Sequence, residues 1–202
     1  MKSLVKITKL FLGVFLSVVA ALLVVGMTTT SFASSHYKYR VTRTAFDKVS
    51  VGSNNGNGGT SIKQLEKDFG SPKLKSSRTV DNVRATMLVY SGVDNDKNAA
   101  AIVELINNKV IYKELTGYQY TRKAVASLND FNNKLTVNKT TYQEALKEFG
   151  KPDEYSVSTQ NGTKVISAVW SSNLKHSAKA KATMTLQFDN DVLVNKSQVS
   201  ME

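Results

Sequence analysis

The segment Thr60-Ser61-Ile62-Lys63-Gln64-Leu65-Glu66-Lys67-Asp68-Phe69-Gly70-Ser71-Pro72 returns 80 residues later as Thr140-Thr141-Tyr142-Gln143-Glu144-Ala145-Leu146-Lys147-Glu148-Phe149-Gly150-Lys151-Pro152. Thr, Phe, Gly and Pro keep their register, and a chain that repeats at a fixed spacing is expected to repeat a supersecondary unit. Each copy predicts a helix with a hydroxyl N-cap, one apolar stripe and a glycine stop followed by proline. The stripe runs through Ile62, Leu65 and Phe69 in the first copy. In the second it runs through Tyr142, Ala145, Leu146 and Phe149.

The same offset carries Asp81-Asn82 onto Asn161-Gly162 and Tyr90 onto Trp170. Both dipeptides tolerate the positive φ of a two-residue hairpin turn, so a hairpin is predicted after each helix. A second hairpin is predicted at Asn107-Asn108 and again at Asn190-Asp191. Upstream, Phe46 to Gly52 resembles Phe131 to Val137, which suggests a short extra helix opening each unit. The surplus of five residues in the first copy falls in the Ser, Asn and Gly run from Ser53 to Gly59, expected to be a flexible loop. The predicted fold class is therefore α+β: two tandem repeats, each a short helix plus a helix packed on a four-stranded antiparallel sheet. They occupy residues 44–117 and 128–202, joined by a tyrosine-rich basic linker at 118–127.

The first 33 residues follow another logic. Lys2, Lys6 and Lys9 form a basic head, Leu10 to Val25 is apolar apart from Gly13 and Ser17, and Ser31-Phe32-Ala33 offers small residues for cleavage. This three-part pattern predicts a signal peptide cut after Ala33, or, left uncut, an N-terminal membrane anchor. A basic tail at 34–43 follows. The expected location is outside the cell, secreted or held on the outer face of the cytoplasmic membrane. The chain has no cysteine among its 202 residues, so its stability must come from its core alone. A cysteine-free exported chain fits a Gram-positive exterior.

The helix ending Phe-Gly-x-Pro, the phenylalanine segment before it, the hairpins after it and the closing run Ala182 to Leu193 together resemble the β-lactamase inhibitory protein-like family. The likeness spans about Thr44 to Val199. A more distant similarity is to the small lipoprotein of the outer-membrane barrel assembly machinery. The resemblance implies a non-catalytic protein that grips a protein partner, a β-lactamase or a cell-wall enzyme, with its sheet face and two hairpin loops. It also implies contact roles for Asp81 and Asn161 at the hairpins and for Tyr90, Tyr112 and Trp170 on the strands. Each has a structural alternative: Asp-Asn suits a turn whatever binds there, and strand aromatics commonly pack into a core. The family's disulfides are missing here, so its loop rigidity does not carry over.

Catalysis is not expected. His36 and His176 are the two histidines, and neither has a ligand-spaced neighbour. No catalytic residue, metal ligand or cofactor is predicted, and the carboxylates of the helices read as solvated charge. The formal net charge of +11 offers a second class of function. Lys175, Lys179 and Lys181, beside His176, would face teichoic acid or an anionic membrane surface, and the alternative is ordinary solubility charge. Nucleic acid is not an expected partner, membrane contact is expected only through the N-terminal segment, and the protein is expected to be a monomer.

Overall fold

The computed structural model describes residues 41–202, apart from 81–82, 123–124 and 178–180. The predicted signal peptide or anchor, most of the basic tail, His36, Asp81 and Lys179 lie outside the described residues. In chain order the elements are α1 (Arg43–Asp47), α2 (Ile62–Phe69), β1 (Leu74–Val80), β2 (Val83–Val93), β3 (Asp96–Ile106), β4 (Lys109–Thr116), α3 (Leu128–Lys134), α4 (Tyr142–Phe149), β5 (Glu154–Gln160), β6 (Thr163–Trp170), β7 (Thr183–Asp189) and β8 (Val192–Val199).

Local chemistry sets the ends of these elements. Ser61 and Thr141 cap α2 and α4 by accepting from the backbone N–H groups of Gln64 and Glu144, and Gly70 and Gly150 stop them at φ of 77° and 72°. Helices of eight residues do not hold themselves together in water, so packing of Leu65 and Phe69, or of Ala145 and Phe149, has to stabilise them. The turns at Asn107-Asn108 and Asn190-Asp191 have positive φ at both central residues, the geometry that matches the twist of paired strands.

All eight strands form one antiparallel sheet in the order of the chain, because β4 pairs with β5 from Tyr112↔Ser158 to Leu115↔Tyr155. This corrects the α+β expectation of two tandem repeats, each on its own four-stranded sheet. The molecule is sheet-dominated, and among the described residues its helices are only five to eight residues long. The physical reason is edge pairing: joining β4 to β5 removes two strand edges and lets Leu115, Tyr155 and Val157 enter one shared core.

The described helices cover one face of the sheet. Phe69 meets Tyr90 edge-on at 5.4 Å, Phe149 meets Trp170 at 6.5 Å and Tyr142 meets Phe188 at 5.1 Å. Two lysines point into the same layer. Lys113 of β4 donates to the carbonyls of Phe46, Asp47 and Val49 at 3.3, 2.9 and 2.8 Å, and Lys196 of β8 donates to those of Phe131 and Leu135 at 2.9 and 2.8 Å. Each ammonium thus satisfies carbonyls left over at the end of a short helix.

The Ser53 to Gly59 run is not a free loop. Gly52 N–H donates to the Val110 carbonyl at 2.8 Å, and a Cβ at Gly59 would lie 2.2 Å from that same oxygen. The glycine permits the backbone to dock on the β3–β4 hairpin, which is why composition alone misread the segment. Tyr120 and Arg122 in the predicted linker are likewise tied down: fully buried Asp153 pairs with Arg122 at 3.1 Å and accepts from the backbone N–H of Tyr120 at 2.6 Å.

Candidate functional site

Side chains alternate along a strand, so the residues next to those that touch the helices point the other way. Tyr90, Lys113, Tyr155, Trp170, Phe188 and Lys196 face the helices. Their neighbours build a second face on which no described helix packs. Two cross-strand rows run over it. One joins Val89, Ile102, Glu114, Ser156, Ser167, Gln187 and Asn195, and the other joins Met87, Glu104, Tyr112, Ser158 and Val165. Over β2 to β4 the surface is apolar and acidic. Across β5 to β8 it turns to hydroxyls and amides.

The centre of this face is Tyr112 with two glutamates. The Tyr112 hydroxyl donates to Glu114 Oε2 at 2.9 Å, and Glu104, only 6% exposed, has Arg78 Nη2 at 3.6 Å from Oε1. Burial pushes the Glu104 carboxyl up to about 7 against the pull of Arg78. Burial also raises Glu114, which the Tyr112 hydrogen bond pulls back in part. Tyr112 stays a neutral hydroxyl, since burial and the Glu114 charge both oppose its ionisation. A third carboxylate, Glu154, accepts from the Gly117 N–H at 2.6 Å. Within a strongly basic chain the described residues make this face an acidic and apolar exception.

The structure separates the sequence-predicted contact residues. Tyr112 lies on the open face, and Asn161 is exposed at the β5–β6 turn with φ of 50°. Tyr90 and Trp170 are 3% and 1% exposed beneath the helices, and the Trp170 indole donates to the Gly150 carbonyl at 3.1 Å. Their proposed contact with a partner is corrected accordingly, because the helix-facing parity of their positions places them in the core. Lys175 and Lys181 are exposed, as is His176, whose ring nitrogen lies 2.7 Å from the Ser177 carbonyl. Sequence reasoning missed Glu104, Glu114 and Met87. Counting alternate positions from Tyr112 and from the core residues of β2 and β3 would have found them.

Among the described residues no helix is long and apolar enough to cross a membrane. No curated protein matches the chain. A solved Streptococcus mutans protein, described as a candidate β-lactamase inhibitor protein, is 28% identical, superposes with a TM-score of 0.68 and matches over 79% of this chain and 96% of its own. The β-lactamase inhibitor-like resemblance read from the helices and hairpins therefore holds at the level of structure. Residues 38–201 match the family described as a Domain of Unknown Function with solved-structure structure (DUF3862), and the chain belongs to that family.

Proposed function

We propose that this protein is an exported, non-catalytic binding module that holds a protein partner, a β-lactamase or a cell-wall enzyme, against the open face of its sheet and the hairpin at Asn161. One observation carries the reading: the strands form a single continuous sheet whose described helices all lie on one side, and the other face carries half-buried Tyr112 and Met87 beside a row of small serines. Aromatic and apolar anchors beside small residues are what a partner's side chains need in order to seat. The solved relative's description supports the same class. The N-terminal segment supports placement outside the membrane, either free or anchored.

The test is titration of the protein against a purified serine β-lactamase and a cell-wall transpeptidase, reading turnover of a chromogenic substrate and complex formation. Tyr112→Ala should weaken the complex about 30-fold, in line with about 2 kcal/mol for a central anchor, while a rise in salt from about 50 to 200 mM should matter little. Binding only to teichoic acid or anionic vesicles, lost with salt and dependent on Lys175, Lys179 and Lys181 but not on Tyr112, would refute the protein-partner reading in favour of a polyanion site.

A further inference from the structure

On the opposite, helix-bearing side, a cleft of about 460 Å³ opens between the α1 segment and α4. That lies within the roughly 300–1,000 Å³ range of small-molecule sites. Val157 and Ile166 of the sheet form an apolar floor, and Val49 and Leu146 flank it. Arg43, Lys113, Lys151 and Lys164 bring four cationic groups to the lining, against the single carboxylate of Asp47.

Asp47 is consumed within that set. Its Oδ1 accepts from Arg43 Nε at 2.9 Å and from the Tyr155 hydroxyl at 2.7 Å, and its Oδ2 accepts from Lys151 at 2.7 Å. Lys164 meets the exposed Asp191 at 3.0 Å. Lys113, only 5% exposed, spends its N–H groups on neutral carbonyls and forms no ion pair among the described residues. Positive charge therefore exceeds negative charge around an apolar floor. A bare inorganic anion would leave that floor uncovered, and a neutral ligand would leave the charge unanswered.

We propose that this cleft binds a small amphipathic anion, with a phosphate or carboxylate head at Lys151 and Lys164 and an apolar body on Val157, Ile166 and Leu146. The site is independent of the partner-binding face, since the lining residues of β4 to β6 lie on the helix side of the sheet. One can fail without the other.

The full chain is titrated with 1-naphthyl phosphate, followed by fluorescence anisotropy, beside neutral 1-naphthol and cationic 1-naphthylmethylammonium. Saturable binding of the phosphate is expected, about tenfold tighter than 1-naphthol, with none of the cation. Decanoate should compete, placing carboxylates in the same class as phosphates. Lys164→Gln and Lys151→Gln alter half-exposed side chains, and each should weaken binding about tenfold at most and about threefold at least, with circular dichroism confirming the fold. Tyr112→Ala should leave it unchanged. Equal affinity for the three naphthyl compounds, indifference to both lysine variants, loss of binding in Tyr112→Ala, or no saturable binding up to about 1 mM would each overturn the proposal.

Discussion

Lys113 and Lys196 perform the same local task in two different surroundings. Both sit on a strand, reach up to a short helix, lie over a phenylalanine ring and donate to carbonyls at the helix end. Lys113 belongs to β4, which has paired neighbours on both sides, while Lys196 belongs to the edge strand β8. The interior lysine is cut off from water, and burial holds its ammonium down to about 8, with Arg43 and Lys164 adding to that effect and Asp47 opposing it. The edge lysine keeps partial access to solvent. A single hydrogen-bonding device thus becomes an electrostatic burden or a simple clasp according to strand position.

The largest effects test whether the two regions share one packing design. Phe69→Ala and Phe149→Ala each remove the ring that joins a helix to Tyr90 or Trp170, and each should cost about 3–5 kcal/mol in a urea melt. A much smaller loss at one of them would break the equivalence. Next come the lysines. Lys113→Ala leaves buried carbonyls without donors and should cost about 3 kcal/mol, whereas Lys196→Ala, with water able to replace the donor, should cost about 1 kcal/mol. Equal costs would show that strand position does not matter.

Protonation sharpens the contrast further. The folded-state value of Lys113 lies below the ordinary 10.5, so the unfolded chain binds more protons between about pH 8 and 10.5. Stability should therefore rise with pH through that window, by about 1–2 kcal/mol, and Lys113→Met should abolish the rise while Lys196→Met should not. Glu104 on the open face has the opposite sign. Its carboxyl is raised from 4.5 to about 7, so the folded chain binds more protons between those values and loses stability as pH rises through them. Glu104→Gln should be more stable than the parent by about 1 kcal/mol above pH 7, and the gap should close near pH 4.5.

The capped helices α2 and α4 and the turns at Asn107-Asn108, Asn161-Gly162 and Asn190-Asp191 were legible because their signals are local: a hydroxyl cap, a glycine stop, a residue pair that tolerates positive φ. The β4–β5 pairing was not, because no turn joins Leu115 to Tyr155 and the two α-helices between them hide the contact. Edge satisfaction, a property of the whole sheet, decided it. The candidate face was half legible. Tyr112 was found as a strand aromatic, but Tyr90 and Trp170 looked identical to it in composition and differ only in which way their strand parity points. The helix-facing lysines were unreadable by charge, since a lysine in a polar stretch such as Asn195-Lys196-Ser197 ordinarily marks solvent. Their alignment at an offset of 83 was the one available clue.

The β4–β5 seam also has a bearing on how molecules behave at high concentration. If β8 of one copy received β1 of another in the register in which β4 receives β5, the contact would be head-to-tail and would not close, and successive additions would build a filament. Inside the chain that register sets Leu115 against Tyr155 and Lys113 against Val157 on the core side. At the outer edges the corresponding helix-side positions are Lys196 and Gln198 on β8, and Lys75 and Ser77 on β1. These side chains would have to surrender water and gain no apolar partner, so polymerisation is opposed at the positions that make the internal seam cohesive.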